Sequence, residues 1–282
     1  MAGRGRPPRL EPRGTPPTPP EPVTPERMLE RAKVAGPGAA PGRTELRSIV
    51  ERLAAGDRRT LAGLAPIPGF SLIDAWASVR TVFGATPEAP LIDPSLALGA
   101  CDRAVSRIAA VGATGGTVAF ACATPASLLG VHAALAARAR DAGAVVPGLD
   151  DTGAIRVDGR AGRRLRWCDG IAVVSDGRSL LATDDPEAAR EWLFVVGRPA
   201  LVVADGPFAT VAWEDGLEVV ALTGPDRPAL APAAAAGDRC TVVPMRTDRP
   251  PTAYGPLVER IAADSEGDVR QGEVSGPTLP PG

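Results

Sequence analysis

From Ile108 to Ala137 the chain carries no Asp, Glu, Lys or Arg, and a run of that length is enough to cross a bilayer. Its punctuation argues for a different use. Gly112, Gly115, Gly116, Thr117 and Pro125 divide it into a helix end, a turn, a short strand and a new helix start, which suits a buried α/β unit.

The same alternation continues on both sides. A helix over Ser95–Val111 precedes the strand TVAFAC (Thr117–Cys122), and a helix over Pro125–Ala142 leads to a short strand at Ala144–Val146. AIRV and RLRW, separated by the turn-rich DGRAGR, read as a β-hairpin, followed by the strand IAVVS. Then come strand ALVVAD, a helix over Pro207–Glu214, strand EVVAL, a helix near Pro228–Ala236, strand CTVVP and a closing helix over Tyr254–Ala263. Short Val-rich runs without polar alternation mark strands covered on both faces. The expected fold is therefore α/β and Rossmann-like, with a mostly parallel sheet and helices on both sides.

Upstream, TELRSIVERLAA places Leu46, Ile49, Val50 and Leu53 on one helical face, with Thr44 as a candidate N-cap. SLIDAWASVRTVF repeats the pattern through Leu72, Ile73, Trp76, Val79 and Phe83. These form an N-terminal helical element over residues 43–89, preceding an α/β domain over 90–263. Nine prolines fall among the first 25 residues, too little apolar side chain to offset ordering entropy. Residues 1–42 are accordingly read as a disordered tail, and 264–282 as a second one. The PxxP spacing in the first tail fits a polyproline ligand as well as a solvated segment.

Composition narrows the function. With 31 basic and 33 acidic residues the net charge is −2, which offers no single-sign field for nucleic acid or an anionic membrane. Lys33 is the only lysine and asparagine is absent. Arginine-rich stretches in such a GC-biased composition carry less functional information than usual. Cys101, Cys122, Cys168 and Cys240 lie far apart, without CxxC spacing or nearby histidines, so structural zinc is not expected. The proline-rich N-terminus has no apolar signal segment, and a cytoplasmic location is the expectation.

No GxSxG, Walker A, GxGxxG or HExxH motif occurs. In open parallel sheets, ligands lie beyond the carboxyl ends of the strands, and that rule selects the loops after Cys122, Ala204 and Pro244. In the first, Thr124 and Ser127 at a helix start could hold a phosphate, or Thr124 could simply cap the helix, with Pro125 at its first position. Asp205, closing ALVVAD, could ligate a metal, act as a base or cap the next helix. Asp93, in LIDP, is a similar case, and Asp176 sits in an Asp-Gly turn pair. The third loop offers Arg246, Asp248, Arg249 and Tyr254, with arginine suited to bidentate phosphate pairing or to structural salt bridges. His132, the sole histidine, shares a helical face with Leu128, Leu129 and Leu135, as a buried imidazole or a proton-transfer group. Cys122 is either a buried thiol or a nucleophile with no evident base.

Taken in order, LIDP, ACATPASLLGVHAALA, GRRLRWCDGIAVVSDG, RPALVVADGPFATVAWEDGLEVVAL and VVPMRTDRPPTAYGPL resemble a bacterial family catalogued as phosphatases, from about Ile92 to Ile261. Members usually carry a threonine-glycine-histidine or threonine-glycine-arginine triplet where this chain has Cys122, Ala123 and Thr124. They usually show alanine-aspartate-histidine-glycine where Ala204 and Asp205 are followed here by Gly206 and Pro207. An aspartate-aspartate-asparagine triplet is replaced by Arg246, Thr247 and Asp248, while Asp93, Asp205, Pro250, Pro251 and Tyr254 match. The resemblance implies a phosphatase acting on a small phosphorylated metabolite, with Asp205 and Asp93 as acid-base groups or ligands of a divalent metal. Thr124, Ser127, Arg246, Asp248 and Arg249 would then hold phosphate. The altered triplets favour the alternative, a noncatalytic descendant kept for ligand binding or protein interaction.

Overall fold

Three helix starts in this chain follow one local rule, a capping side chain followed by proline. Thr24 precedes α1 (Pro25–Ala32) and its hydroxyl accepts from the Arg27 amide, while Asp93 precedes α4 (Pro94–Gly112) and accepts from Ser95. Asp185 precedes α6 (Pro186–Val196) and accepts from Glu187. Between these lie α2 (Arg43–Ala54), capped from Gly42, and α3 (Leu72–Phe83), whose Ser71 and Asp74 form a reciprocal capping box. The computed structural model describes residues 23–148, 155–156 and 162–271. Residues 1–22, most of the DGRAGR turn and residues 272–282, read above as tails and a hairpin loop, lie outside the described residues.

The sheet is built from the runs recognised above. β3 (Val118–Cys122), β6 (Ile171–Ser175), β8 (Leu201–Asp205), β9 (Val219–Thr223) and β10 (Cys240–Pro244) are buried at every position. They pair in parallel in the order β10-β9-β8-β3-β6. Beyond β6 the sheet turns antiparallel through β5 (Arg164–Cys168) and β4 (Ile155–Arg156). β7 (Leu180–Leu181) takes up the edge of β6 past the end of β3. Val145 adds only a bridge to Thr117 where a short strand was expected.

Helices cover both faces. On one, α2, α3, α6, α7 (Gly206–Glu214) and α8 (Ala231–Ala235) enclose a core with Trp192 edge-on to Phe208, ring centres 5.5 Å apart. On the other, α1, α4, α5 (Pro125–Asp141) and α9 (Gly255–Gln271) pack over Phe120, Val203 and Val220. The charge-free run thus becomes the end of α4, a turn, β3 and the start of α5. Among the described residues no helix is long and apolar enough to cross a membrane.

Three expectations need correction. Residues 25–42 are not a tail: Leu29, Val34, Ala35 and Ala39 are buried, and β1 (Gly36–Pro37) pairs with β2 (Leu91–Ile92). The Val34 carbonyl also accepts from the Arg246 amide at 2.9 Å. The last helix does not stop at Ala263 but continues to Gln271. In α3 the inward face is rotated from the one expected, with Ala75, Val79, Val82 and Phe83 buried and Ile73 80% exposed. The reason is that α3 packs mainly between α2 and α8 and reaches the sheet only at its edge strand β10. Because Leu29 is fully buried, Leu29→Ala is expected to cost about 2–5 kcal/mol in urea unfolding. A change under about 0.5 kcal/mol would show that α1 lies outside the cooperative unit.

Candidate functional site

The chain leaves β3 toward β6 on one side and leaves β8 toward β9 on the other. Its following helices, α5 and α7, lie on opposite faces. That reversal separates the loops at the carboxyl ends of β3 and β8, the place where such sheets open a crevice. Asp205 stands there, only 2% exposed. Its Oδ1 accepts from the Ala123 amide at 2.7 Å and lies 3.1 Å from His132 Nε2, while Oδ2 accepts from the Thr124 hydroxyl. A carboxylate has only acceptors to offer, so Nε2 carries the proton in this contact. His132 Nδ1 is buried and, among the described residues, has no hydrogen-bond partner.

Burial by itself pushes the Asp205 carboxyl up, but the His132 hydrogen bond and charge, the Thr124 hydroxyl and the Ala123 amide together hold it below its ordinary value. Cys122 lies alongside, its thiol pushed well up by burial and by the Asp205 charge. Ligand atoms of Cys122, His132 and Asp205 fall within 4.8 Å of one another. They do not fit a metal. The thiol is held protonated, and a cation on Asp205 would have to displace a backbone amide that cannot turn away. Asp205 and its donors form a hydrogen-bonded knot that ties the loop after β3 to the loop after β8.

One consequence reaches α7. Asp205 occupies the N-cap position but gives α7 no side-chain cap, since its oxygens are turned toward Ala123, Thr124 and His132. The first turn of α7 is therefore left to interact with something else. Gly206, Pro207, Ala209 and Thr210 from this turn form a wall of a cleft of about 880 Å³. Thr223, Asp226 and Arg227 line it from the end of β9, and Asp184 from the segment before α6. The cleft is completed by Arg52 from the last turn of α2 and by Asp57, Arg58, Arg59 and Thr60 from the connection between α2 and α3.

Polar contacts organise this cleft. Asp57 accepts from both the amide and the hydroxyl of Thr60, at 2.9 and 2.8 Å, and these bonds, with Arg52 nearby, keep its carboxyl below the ordinary value. Arg227 donates to Asp184 at 2.6 Å. Arg58 and Arg59 are exposed and, among the described residues, form no ion pair. Arg52 from the end of α2, Arg58 and Arg59 from the connection after it and Arg227 from a strand-end loop thus share the cleft with a helix N-terminus, a combination suited to an anion with several oxygens.

The residues selected from sequence fare differently. Thr124 and Asp205 meet directly. Ser127 lies in the first turn of α5, with its amide bonded to the Thr124 carbonyl. Asp93 caps its own helix, accepting from the amide and hydroxyl of Ser95, and among the described residues no hydrogen bond joins it to the others. Arg246 and Asp248 pair with each other through two bonds, 2.5 and 3.0 Å. The Arg249 amide donates to the Tyr254 hydroxyl, which donates to the Arg246 carbonyl. Asp176 closes its turn, accepting from the amides of Arg178 and Ser179.

Sequence reasoning passed over the other half of the cleft. Asp226 and Arg227 follow the end of β9, and the strand-end rule that selected three loops applies equally to this one. For Arg52, Arg58 and Arg59 there was no such signal, because they come from outside the strand-helix alternation.

No solved structure matches this chain. Among curated proteins, "Phosphatase SCO2771" of Streptomyces coelicolor is 31% identical over 249 residues, covering 80% of this chain and 90% of that protein. The family model described as Phosphatase matches residues 25–266, a span that takes in α1, the whole sheet and every residue of the cleft. On both findings, the chain belongs to the Phosphatase family.

Proposed function

We propose that the protein is a phosphoric monoester hydrolase acting on a small phosphorylated molecule held in the cleft at the N-terminus of α7. The observation that carries the reading is the meeting of Arg52, Arg58, Arg59 and Arg227 with the uncapped first turn of α7 in a chain of this family. A phosphate dianion presents several acceptor oxygens, and guanidinium groups can pair with them bidentately. The positive end of α7 adds to the same field.

This places phosphate on α7 rather than at the start of α5. There the Ala123 amide and Thr124 hydroxyl are already given to Asp205. Asp205 is then a positioning residue, buried and hydrogen-bonded through both oxygens, and Arg246 and Asp248, beyond the end of β10, are given to each other. No step through a metal follows from these residues.

A panel of phosphate monoesters with detection of released inorganic phosphate tests the proposal. Arg58→Ala with Arg59→Ala is expected to lower kcat/KM about 10- to 100-fold, mostly through KM, since charge-assisted bonds to phosphate are lost. An unchanged kcat/KM in the double variant would remove phosphate from this cleft. Absence of turnover with every ester would overturn the hydrolase reading itself.

A further inference from the structure

The loop leaving β9 turns so tightly that Gly224 has no space for a side chain. A Cβ there would stand 2.4 Å from Asp226 Oδ1 and 2.9 Å from the Met245 carbonyl oxygen. The Asp226 carboxyl is thereby folded back over the ends of β9 and β10, and it lines the cleft beside Thr223 and Arg227. The two guanidinium groups nearest in charge to it are both occupied elsewhere, Arg227 by Asp184 and Arg246 by Asp248. Among the described residues no other side chain donates a hydrogen bond to this carboxyl. Asp57 and Asp184, the other two acids of the cleft, have partners in Thr60 and Arg227.

We propose that Asp226 is the general acid of the hydrolysis, protonating the ester oxygen as it leaves phosphorus. The proposal rests on the phosphatase reading of this cleft and assigns a proton donor within it. Water attacks phosphorus and the bond from phosphorus to the ester oxygen breaks, its electron pair passing to that oxygen. The oxygen takes the Asp226 proton and departs as an alcohol. The attacking water keeps one proton as the new hydroxyl of phosphate and releases the other to solvent, from which Asp226 is reprotonated. The sum is ester plus water giving alcohol plus hydrogen phosphate.

The electrostatic setting agrees with that part. Asp226 is exposed to the cleft, and partial desolvation of its carboxyl by the folded-back loop pushes it above its ordinary value, the Asp248 charge adding to this, while its own amide, Arg227 and Arg246 oppose it. Arg52, Asp57, Arg58 and Arg59 line the same cleft. A carboxyl that keeps its proton to higher pH is better matched to proton donation near neutrality.

Leaving-group dependence gives the test, using the full chain and Asp226→Asn. An alkyl phosphate needs its leaving oxygen protonated, whereas 2,4-dinitrophenyl phosphate releases a stable anion without help. On the alkyl ester, kcat is expected to fall by ~10²-fold or more, with less than about a threefold loss on the dinitrophenyl ester. The fall of the parent's alkyl-ester rate toward high pH, as Asp226 deprotonates, should also be missing in the variant, whose melting temperature stays that of the parent. Equal losses on both esters, or none on either, would overturn the role of Asp226 alone. If the unsubstituted protein turns over neither ester, the reaction and the role of Asp226 fall together.

Discussion

Asp205→Ala is expected to lower the free energy of unfolding by about 3–5 kcal/mol, as leaving several donors without their acceptor does. The substitution leaves the buried Ala123 amide and His132 Nε2, and the half-buried Thr124 hydroxyl, without their acceptor. Each buried donor left without an acceptor costs about 1–3 kcal/mol. Urea unfolding at pH 7 measures the loss, and a value under about 1 kcal/mol would mean that the knot does not hold the two loops together. Asp205→Asn keeps one acceptor oxygen and should be milder. The pH dependence has a definite sign. Because the folded carboxyl is held below its ordinary value of 3.8, the unfolded chain binds the proton first as pH falls, and stability rises with pH across that interval. The Asp205 contribution is complete above 3.8 and disappears as pH drops through the lower folded value. The gap in stability between parent and alanine variant should therefore narrow below pH 3.8 and stay constant above it.

Gly206→Val should lose both stability and turnover. Gly206 sits at φ +54°, and a Cβ there would approach the Ala123 Cβ to 2.8 Å. A β-branched residue held in the left-handed region costs about 1–3 kcal/mol. Crowding against a backbone-anchored methyl adds about 1–3 kcal/mol. The new side chain also stands between the loop after β3 and Arg227, whose Nη1 lies 3.9 Å from the same position. Phosphate in the cleft would meet it, and kcat/KM is expected to fall ~10²-fold, as misplacement in a catalytic site does. Gly206→Ala should show a smaller loss in both measurements. A valine variant with the parent's melting temperature and turnover would contradict the backbone geometry and the placement of the cleft together.

Some of the fold was legible because it is written in neighbouring residues. VAFAC, IAVVS, LVVAD and CTVVP carry their burial in composition alone, and Asp93-Pro94 and Thr124-Pro125 mark helix starts in two letters. The stretch from Pro25 to Gly42 was not legible. Its few apolar residues, Leu29, Val34, Ala35 and Ala39, are scattered among Pro, Gly and Arg, and they become core only because β1 pairs with β2 and Val34 bonds to Arg246. In α3 the period of Leu72, Ile73 and Trp76 predicted a face that packing between two helices rotated away.

The candidate site divides in the same way. Asp205 and Thr124 were selected from their positions at strand ends, but whether a carboxylate there meets substrate or a protein donor depends on what faces it. His132 faces it, 73 residues away along the chain. Arg58 and Arg59 were indistinguishable from any arginine of a GC-biased composition until the connection between α2 and α3 was brought to the same cleft as α7.

The sequence by itself determined the buried strands, the helix starts and the strand-end loops, because hydrophobic pattern and capping act over a few neighbouring bonds. Only the tertiary structure decided that Asp205 is enclosed and that the open cleft lies on the α7 side of the sheet. Burial, hydrogen-bond saturation and charge proximity are relations between segments remote in sequence, and they come into existence only when those segments pack.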